Sequence, residues 1–203
     1  MPVDPQALAS TLQVLLNSVD VPDGLSDQAM IERLDRVVDA AQDVLEVDGV
    51  GLMLLDEHGV LRVVGATDAA GDALERGQLR LEVGPAIDCM RQDDAVMVAD
   101  LADEENYAAL WQWLVADSRR EDLAGVPVRA VLSVPVRVAG RAVGTLNAFR
   151  SEPQRWMSEQ TRAVEAYAGI IGVLLRLGAR QADGKIRMPG MSERTQGMTD
   201  GQH

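Results

Sequence analysis

The segment Ala130–Phe149, AVLSVPVRVAGRAVGTLNAF, constrains the fold more than any other part of the sequence. Val, Thr and Phe recur along it, and these residues fit a pleated, packed surface. The pair Ala139-Gly140 interrupts the pattern, and Gly accepts the positive φ that a short hairpin turn requires. The segment therefore predicts two antiparallel strands joined by a tight turn.

A two-residue turn would determine which residues of this hairpin lie opposite each other. The expected pairs are Val138 with Arg141, Val136 with Val143, Val134 with Thr145, and Leu132 with Asn147. The other face would then carry Ser133, Pro135, Gly144, Leu146 and Ala148. Both faces are mostly apolar, so we expect the hairpin to lie in the middle of a sheet that is covered on both sides.

The composition is that of a soluble globular protein with one core. The chain has 203 residues, of which 47% are hydrophobic and 25% charged, and its aromatic content of 3% predicts an aliphatic core. The formal net charge of −13 opposes binding to nucleic acid, because such binding needs Lys and Arg to displace counterions from phosphates. Direct nucleic-acid binding is therefore not expected.

Cysteine usage and the N-terminus predict a cytoplasmic location. Cys89 is the single cysteine, which excludes an internal disulfide and suits a reducing compartment. No basic region followed by a continuous apolar run opens the chain, so we expect no signal peptide. No stretch approaches the ~20 apolar residues of a membrane span, and no membrane association is expected.

The predicted elements divide the chain into three parts. Residues 1–25 are predicted to form an N-terminal helix, opened by Asp4-Pro5, and a linker. Residues 26–177 are predicted to form one α+β domain, and residues 178–203, where apolar periodicity vanishes, a disordered tail. The predicted order within the domain is helix Ser26–Leu45, strands Val50–Asp56 and Val60–Thr67, a loop leading into a short helix at Asp68–Gly77, extended segment Leu79–Val83, short helix Pro85–Gln92, strand Val96–Leu101, helix Asp103–Asp117, the hairpin, and helix Glu159–Leu177.

The last predicted helix, Glu159–Leu177, carries more apolar surface than one sheet can cover. One stripe suffices to cover a sheet, so the second predicts another partner, for which a second copy of the helix is the simplest choice. Gly178 is expected to end the helix. We therefore expect a homodimer that pairs through Ser26–Leu45 and Glu159–Leu177. The two stripes are Val164, Ala168, Ile171 and Leu175, and Tyr167, Ile170, Leu174 and Leu177.

Three segments resemble those of the GAF domain family. Residues 83–101, VGPAIDCMRQDDAVMVADL, resemble the family's Gly-Pro turn and short helix that precede a strand ending in Asp-Leu. Residues 131–149, VLSVPVRVAGRAVGTLNAF, resemble its pair of strands after the last short helix. Residues 158–175, SEQTRAVEAYAGIIGVLL, resemble its closing helix. The predicted element order also resembles that of a GAF domain, and the resemblance covers about Ser26–Leu177.

The resemblance implies an α+β, three-layer fold. It implies a six-stranded antiparallel sheet with the first and last helices on one face and a ligand pocket under short helices on the other. GAF domains are small-molecule sensors or scaffolds, and members bind cyclic nucleotides, haem, bilins or amino-acid-derived ligands. The resemblance is to a variety common in actinobacterial regulators, where the domain often precedes an RNA-binding ANTAR helical bundle. We expect no ANTAR module here, because only the predicted tail follows Leu177.

Residues 83–101 resemble the segment that forms a wall of the ligand pocket in GAF domains. They supply three candidate ligand-binding residues, Pro85, Asp88 and Cys89. A thiolate at Cys89 would be reactive if a helix N-terminus lowered its pKa. The alternative is a small buried apolar side chain, which free cysteines often are. A relative of this fold reduces free methionine sulfoxide, but that chemistry needs a resolving cysteine, so we do not expect it here.

Four further candidates come from the chemistry of the side chains. Tyr107 and Trp111 share the inner face of the predicted helix Asp103–Asp117, and aromatics with a polar edge suit either a pocket or a lid packed on the sheet. Thr145 and Asn147 lie on one face of the hairpin among valines. Their polar groups need partners, either in a neighbouring backbone or in a ligand.

Neither a metal site nor a haem site is expected. The histidines are His58, in a predicted β-turn, and His203, the final residue, and neither is placed to be an axial haem ligand. Cys89 and these histidines lack the spacing of a metal cluster. No nucleophile–base pair, glycine-rich phosphate loop or pair of catalytic carboxylates is evident, so nothing points to catalysis or to a particular cofactor.

Three functional hypotheses follow. The first is a stand-alone sensory or regulatory module in signal transduction, a cytoplasmic homodimer that binds a small molecule or a partner protein. The second is an interaction scaffold that binds no ligand and whose pocket side is packed solid with Met and Leu. The third is a redox enzyme that uses the Cys89 thiol.

Overall fold

The computed structural model describes residues 36–38, 40–118 and 126–185, with side chains described up to residue 177. In the described residues the centre of the fold is a five-stranded antiparallel sheet with the strand order β2-β1-β5-β4-β3. The predicted hairpin, β4–β5, therefore lies inside the sheet, as expected. The strands are β1 (Gly49–Leu55), β2 (Leu61–Ala66), β3 (Val96–Val98), β4 (Ala130–Val138) and β5 (Arg141–Arg150).

Helices cover both faces of this sheet. Helices α1 and α5 pack on one face, and α2, α3 and α4 pack on the other. The predicted fold class is thereby confirmed: an α+β, three-layer arrangement with the first and last helices on one face and shorter helices on the other. The helices are α1 (residues 36–38 and 40–45), α2 (Ala69–Leu81), α3 (Pro85–Gln92), α4 (Ala108–Ser118, preceded by a 3₁₀ turn at Glu105–Tyr107) and α5 (Ser158–Lys185).

A β-bulge changes the register predicted for the hairpin. The pairing shifts between Val136 and Arg137, so Val136 faces Gly144 rather than Val143. Because side chains alternate along a strand, a shift of one residue exchanges the two faces of a strand relative to its neighbour. The pairs predicted beyond the bulge are therefore wrong. The observed pairs are Pro135 with Thr145, Val134 with Leu146, Ser133 with Asn147, and Leu132 with Ala148.

The face under α1 and α5 is an aliphatic core. Tyr167 of α5 joins the two helices, because its hydroxyl donates a 2.7 Å hydrogen bond to the carbonyl of Val37. Tyr167 is also the first residue of the second apolar stripe predicted for α5. This stripe is buried at Tyr167 and is 36% exposed at Leu177. The buried helical residues of this core include Val38, Ala41, Leu45, Val164, Ala168 and Ile171.

The opposite face carries a smaller apolar cluster around Phe149, which is 1% exposed. Leu74 of α2 and Leu110 of α4 belong to the same cluster. The ring of Phe149 packs against Gly71 of α2, where a Cβ would lie 2.7 Å from a ring carbon. A glycine is therefore required at this crossing of α2 over the sheet.

Helix α2 begins where the sequence predicted a loop leading into a short helix, at Asp68–Gly77, and continues into the predicted extended segment Leu79–Val83. The predicted loop and the predicted extended segment are therefore wrong, and the helix is longer than predicted. The Asp68 carboxylate caps the helix by accepting a 2.7 Å hydrogen bond from the N–H of Gly71, and Glu82, with φ of 53°, ends it. The described residues consequently form five strands, and not the six that the family resemblance implies.

Helix α5 continues through Gly178 to Lys185, so the predicted end at Gly178 is wrong. A glycine inside a helix costs about 1 kcal/mol relative to alanine, but it ends the helix only where it adopts the left-handed conformation. Residues 178–185 of the predicted tail are therefore helical. The predictions for residues 1–25, for the start of the helix Ser26–Leu45 and for residues 186–203 lie outside the described residues.

Replacing Tyr167 by Phe should lower the free energy of unfolding by about 1–2 kcal/mol, because the buried carbonyl of Val37 would lose its partner. Urea denaturation measures the free energy of unfolding. Its slope against urea concentration should be the same in the variant and the wild type. Val60→Ala is the control, since Val60 lies between β1 and β2, outside α1 and α5, and is 47% exposed. Equal effects of the two substitutions would contradict the assigned hydrogen bond.

Candidate functional site

Three residues in register form a row across the centre of the sheet, on the face covered by α2, α3 and α4. Gly51 of β1 faces Asn147 of β5, and Asn147 faces Ser133 of β4. Thr145 lies two residues before Asn147 and points to the same face. The side chains of Ser133, Thr145 and Asn147 are completely buried. The sequence placed two polar residues on one face of the hairpin, and the bulge adds a third.

Glu75 of α2 is the partner of Asn147. The Asn147 amide donates from Nδ2 to Glu75 Oε1 at 2.8 Å and to Oε2 at 3.0 Å, and the same nitrogen lies 3.3 Å from Thr145 Oγ1. Glu75 is fully buried. Its carboxyl group reaches the sheet only because Gly51 has no side chain, since a Cβ at that position would collide with Oε1.

Gln78, one turn after Glu75, links α2 to α3. Its Nε2 donates a 3.0 Å hydrogen bond to Glu75 Oε2, and its Oε1 accepts a 2.8 Å hydrogen bond from the N–H of Ala86 in the first turn of α3. Gly84 precedes α3 with φ of 147°, and a Cβ there would contact the Gln78 side chain. The set of buried polar side chains is called the polar cluster below and consists of Glu75, Gln78, Ser133, Thr145 and Asn147.

The polar cluster contains a carboxyl group that has no cationic partner. Burial raises the pKa of Glu75 to about 8, hydrogen bonds from Asn147 and Gln78 lower it in part, and the charge of Asp72 adds to the rise. The carboxyl group is therefore mostly protonated at neutral pH. Among the described residues, no lysine or arginine contributes to the pKa of Glu75.

The polar cluster also contains two polar atoms without partners. Neither Asn147 Oδ1 nor Ser133 Oγ has a hydrogen-bond partner among the described residues. An unpartnered buried polar atom costs about 1–3 kcal/mol, so such atoms in a native core require an explanation. A group that carries hydrogen-bond donors could bind these two atoms and the Glu75 carboxyl.

Two predicted site residues, Asp88 and Tyr107, contact each other. The Tyr107 hydroxyl donates a 2.8 Å hydrogen bond to Asp88 Oδ2, and Arg91 Nη1 lies 3.2 Å from Oδ1. Burial raises the pKa of Tyr107, and the hydrogen bond to Asp88 raises it further. The phenol therefore stays protonated and joins α3, on which Asp88 lies, to the 3₁₀ turn before α4. Pro85 is buried at the first position of α3.

Cys89 is completely buried in α3. Burial raises the pKa of its thiol to about 12, while the charge of Arg137 lowers it and those of Asp93 and Asp94 raise it. A protonated, inaccessible thiol has the properties of a small apolar side chain rather than of a nucleophile.

Trp111, the last predicted site residue, stacks on an ion pair. The guanidinium of Arg129 lies 5.3 Å from the centroid of the Trp111 ring. The same guanidinium donates to both carboxylate oxygens of Asp100, with Nε 2.6 Å from Oδ1. This contact connects the loop after β3 to the segment before β4, which is a structural role for Trp111.

Of the predicted candidates, the structure places Thr145 and Asn147 in the polar cluster. Sequence reasoning missed Glu75 and Gln78, because it did not predict the one continuous helix, Ala69–Leu81, that carries both. Their spacing of three residues is the available signal, since it places them on one face of a helix. Ser133 was missed because the unshifted register puts it on the face opposite Asn147.

Other features of the described residues carry less chemistry. His, Cys, Asp and Glu side chains in this part of the chain form no group of three that could hold a metal ion. None of the helices described is both long and apolar enough to cross a membrane. A mostly apolar cleft lies between the start of α2 and the end of α4, lined by residues that include Ala73, Leu114 and Val128.

Comparison with known proteins agrees with this architecture. A family model described as GAF domain matches residues 29–175. The Nif-specific regulatory protein of Herbaspirillum seropedicae is 27% identical over 146 residues, which is 71% of this chain and 26% of that protein. The chain therefore matches about a quarter of the length of this relative.

Solved structures show the same fold. The GAF domain of an Acinetobacter phosphoenolpyruvate-protein phosphotransferase matches with a TM-score of 0.61 and 14% identity, covering 87% of this chain and 96% of that one. The free methionine-R-sulfoxide reductase of Neisseria meningitidis matches with a TM-score of 0.59 and 15% identity, covering 88% of this chain and 95% of that one. At these identities the similarity establishes the fold alone.

The stability of the protein should fall with rising pH because of Glu75. Its pKa rises on folding from 4.5 to about 8, so its contribution is fully present below about pH 4.5 and is lost as the pH approaches 8. The glutamine of Glu75→Gln does not titrate, so this variant should lack the decrease in the free energy of unfolding that Glu75 causes. One titrating group can lower that free energy by at most ~1.4 kcal/mol per pH unit. Urea denaturation between about pH 5 and about pH 8 measures the two profiles.

Glu82→Gln is the matched control for this experiment, because Glu82 is an exposed acid at the end of the same helix and its charge does not contribute to the pKa shift of Glu75. This variant should keep the pH profile of the wild type. If the profiles of Glu75→Gln and the wild type were parallel, the conclusion that Glu75 is protonated in the native state would be wrong.

Cys89 should react with Ellman's reagent only after the protein unfolds, because its thiol is buried and protonated. Absorbance should rise very slowly for the native chain and reach one thiol per chain in guanidinium chloride, with Cys89→Ser as the blank. A fast reaction of the native chain would contradict the assigned burial and would favour the redox hypothesis.

Proposed function

The chain belongs to the GAF domain family, and on that basis we propose that it is a sensory or regulatory module that binds a small molecule at the polar cluster. The match to a Nif-specific regulatory protein supports a role in regulation. The polar cluster is the observation that carries the proposal, because it leaves Asn147 Oδ1 and Ser133 Oγ unpartnered at the centre of the sheet. Native cores rarely leave such atoms unpartnered, and exceptions are expected at functional sites.

Binding at the polar cluster would move α2 and α3 together. The hydrogen bond between Gln78 and Ala86 joins the two helices, and the contact between Asp88 and Tyr107 joins α3 to the turn before α4. A ligand that binds between α2 and the sheet would therefore change the positions of all three helices. It selects between two arrangements only to the extent that its affinity for them differs.

We further propose that the output passes through a homodimer formed by α1 and α5. On the described part of α5, Val173 is 45% and Leu177 36% exposed. Their spacing of four residues places them on the same side of the helix. A second copy of this chain would cover both side chains in a symmetric, self-complementary contact.

The proposed location of the protein is the cytoplasm. The free thiol of Cys89 supports this location, because it suits a reducing compartment.

A scaffold that binds no ligand is the second candidate, and the close packing of the site favours it. Glu75 already fills the space beside Gly51, and Met53 and Leu74 are fully buried. In that case the polar cluster would only position α2 on the sheet. The third hypothesis, a redox enzyme, requires an accessible thiolate at Cys89, and the burial of this side chain does not favour it.

Native mass spectrometry of freshly purified protein tests the proposed function directly, because it reports the number of subunits and any retained molecule together. We expect twice the chain mass of 21.9 kDa plus a bound small molecule. Addition of the identified molecule should raise the melting temperature, because a ligand that binds only the folded state stabilises it. A dimer without ligand would favour the scaffold, and a monomer that no metabolite stabilises would contradict both proposals.

A further inference from the structure

The polar cluster specifies the chemistry of the group that it would hold. We propose that it binds the ammonium group of a small organic cation, with the Glu75 carboxylate as counter-ion. This inference rests on the proposed function and names the class of ligand. Hydrogen-bond inventory, charge and the arrangement of the strands each support it.

Two groups of the cluster are able to accept a further hydrogen bond, Asn147 Oδ1 and the Ser133 hydroxyl, and the Glu75 carboxyl becomes a third acceptor when it ionises. The Asn147 Nδ2 and Gln78 Nε2 donors are already bonded to Glu75, whereas Asn147 Oδ1 and Ser133 Oγ are bonded to nothing among the described residues. An ammonium group carries three N–H donors and no acceptor. It therefore matches three sites: the Glu75 carboxylate, Asn147 Oδ1 and Ser133 Oγ.

The strand register places two of these sites side by side. Ser133 and Asn147 are directly opposite each other in the pairing of β4 with β5, so their Cβ atoms are about 5 Å apart. Glu75 faces Asn147 from α2, across the gap between helix and sheet. The Glu75 carboxyl lies over Gly51 on β1, so the three groups form one buried row with Asn147 in the middle, from two strands and one helix.

Charge distinguishes a cation from other ligands at this point. An anion would bring a second negative charge beside Glu75 and would find no cationic side chain among those that shift its pKa. A cation has the opposite effect, because a neighbouring positive charge favours the ionised carboxyl. Binding would therefore exchange the proton on Glu75 for the ligand, and the proton would leave to solvent. The net charge of −13 also attracts cations to the protein.

Space for the ligand must come from a movement of α2. The Glu75 carboxyl now occupies the position next to Gly51 and bonds directly to Asn147. An ammonium group over Asn147, between Glu75 and Ser133, would replace this direct contact by charge-assisted and polar contacts, and α2 would move away from β1. Gln78 would carry the movement to α3 through its hydrogen bond with Ala86.

Two series of probes that differ only in the charge of the head group test the proposal on the full chain. One contains n-butylammonium, 1-butanol and butyrate, and the other benzylammonium, benzyl alcohol and phenylacetate. At least one ammonium compound should raise the melting temperature, and its alcohol and carboxylate counterparts should not. Its affinity, measured by isothermal titration calorimetry, should increase about tenfold for each unit by which the pH is raised, as long as the pH is below the pKa of Glu75.

Proton release provides a readout that non-specific binding would not show. Titrations at neutral pH in two buffers of different ionisation enthalpy should report close to one proton released per bound cation, because Glu75 starts mostly protonated. Glu75→Gln should lower the affinity by at least about a hundredfold and abolish proton release, because it removes the counter-ion. Glu82→Gln, which removes an exposed charge at the end of the same helix without affecting the pKa shift of Glu75, should bind like the wild type.

Each other outcome has a defined meaning. Stronger binding of an alcohol or a carboxylate would overturn the ammonium assignment and leave the wider proposal of a ligand sensor intact. Equal binding to the wild type and to Glu75→Gln, or no binding of any probe, would also overturn the assignment. The wider proposal is decided separately, by the molecule that native mass spectrometry finds on the purified protein.

Discussion

The contact between Glu75 and Asn147 is the interaction on which the polar face of this sheet, under α2, α3 and α4, depends. A helix side chain can reach a central strand only where the sheet offers room, and Gly51 provides that room by having no Cβ. The β-bulge in the hairpin then brings Ser133 beside Asn147. Burial without a cation leaves the carboxyl neutral at physiological pH. The position of α2, and through Gln78 that of α3, follows from this one contact.

The two faces of the sheet contribute differently to stability and function. The face under α1 and α5 is aliphatic, and its burial supplies stabilisation of roughly 25 cal/mol per Å² of apolar surface. The opposite face includes a buried carboxyl and two unpartnered polar atoms, all of which oppose folding. A fold keeps such groups only when the rest of the core offsets their cost. This division is what makes the face under α2, α3 and α4 suited to ligand binding and the other to structural support.

Local pattern was sufficient for much of the fold and for part of the site. The β-branched run in Ala130–Phe149 predicted the central hairpin, and apolar spacing predicted the core side of α5. The need of Thr145 and Asn147 for partners was also visible, because polar side chains among valines must be satisfied. Their actual partner, Glu75, could not be found, since the continuous helix that carries it was not predicted. The two glycines of this helix allow close packing, Gly71 against Phe149 of the sheet and Gly77 against Trp113 of α4.

The sequence by itself determined the order of helices and strands and the polar character of the hairpin's second strand, because these follow from the periodicity and type of neighbouring residues, and its resemblance to GAF domains implied the layering. Tertiary structure alone decided the register, the path of α2 and the identity of the polar cluster. A bulge of one residue reverses which side chains face each other, and no local preference marks its position. Likewise, Glu75 and Asn147 are 72 residues apart. They meet only because two distant segments pack on the same sheet.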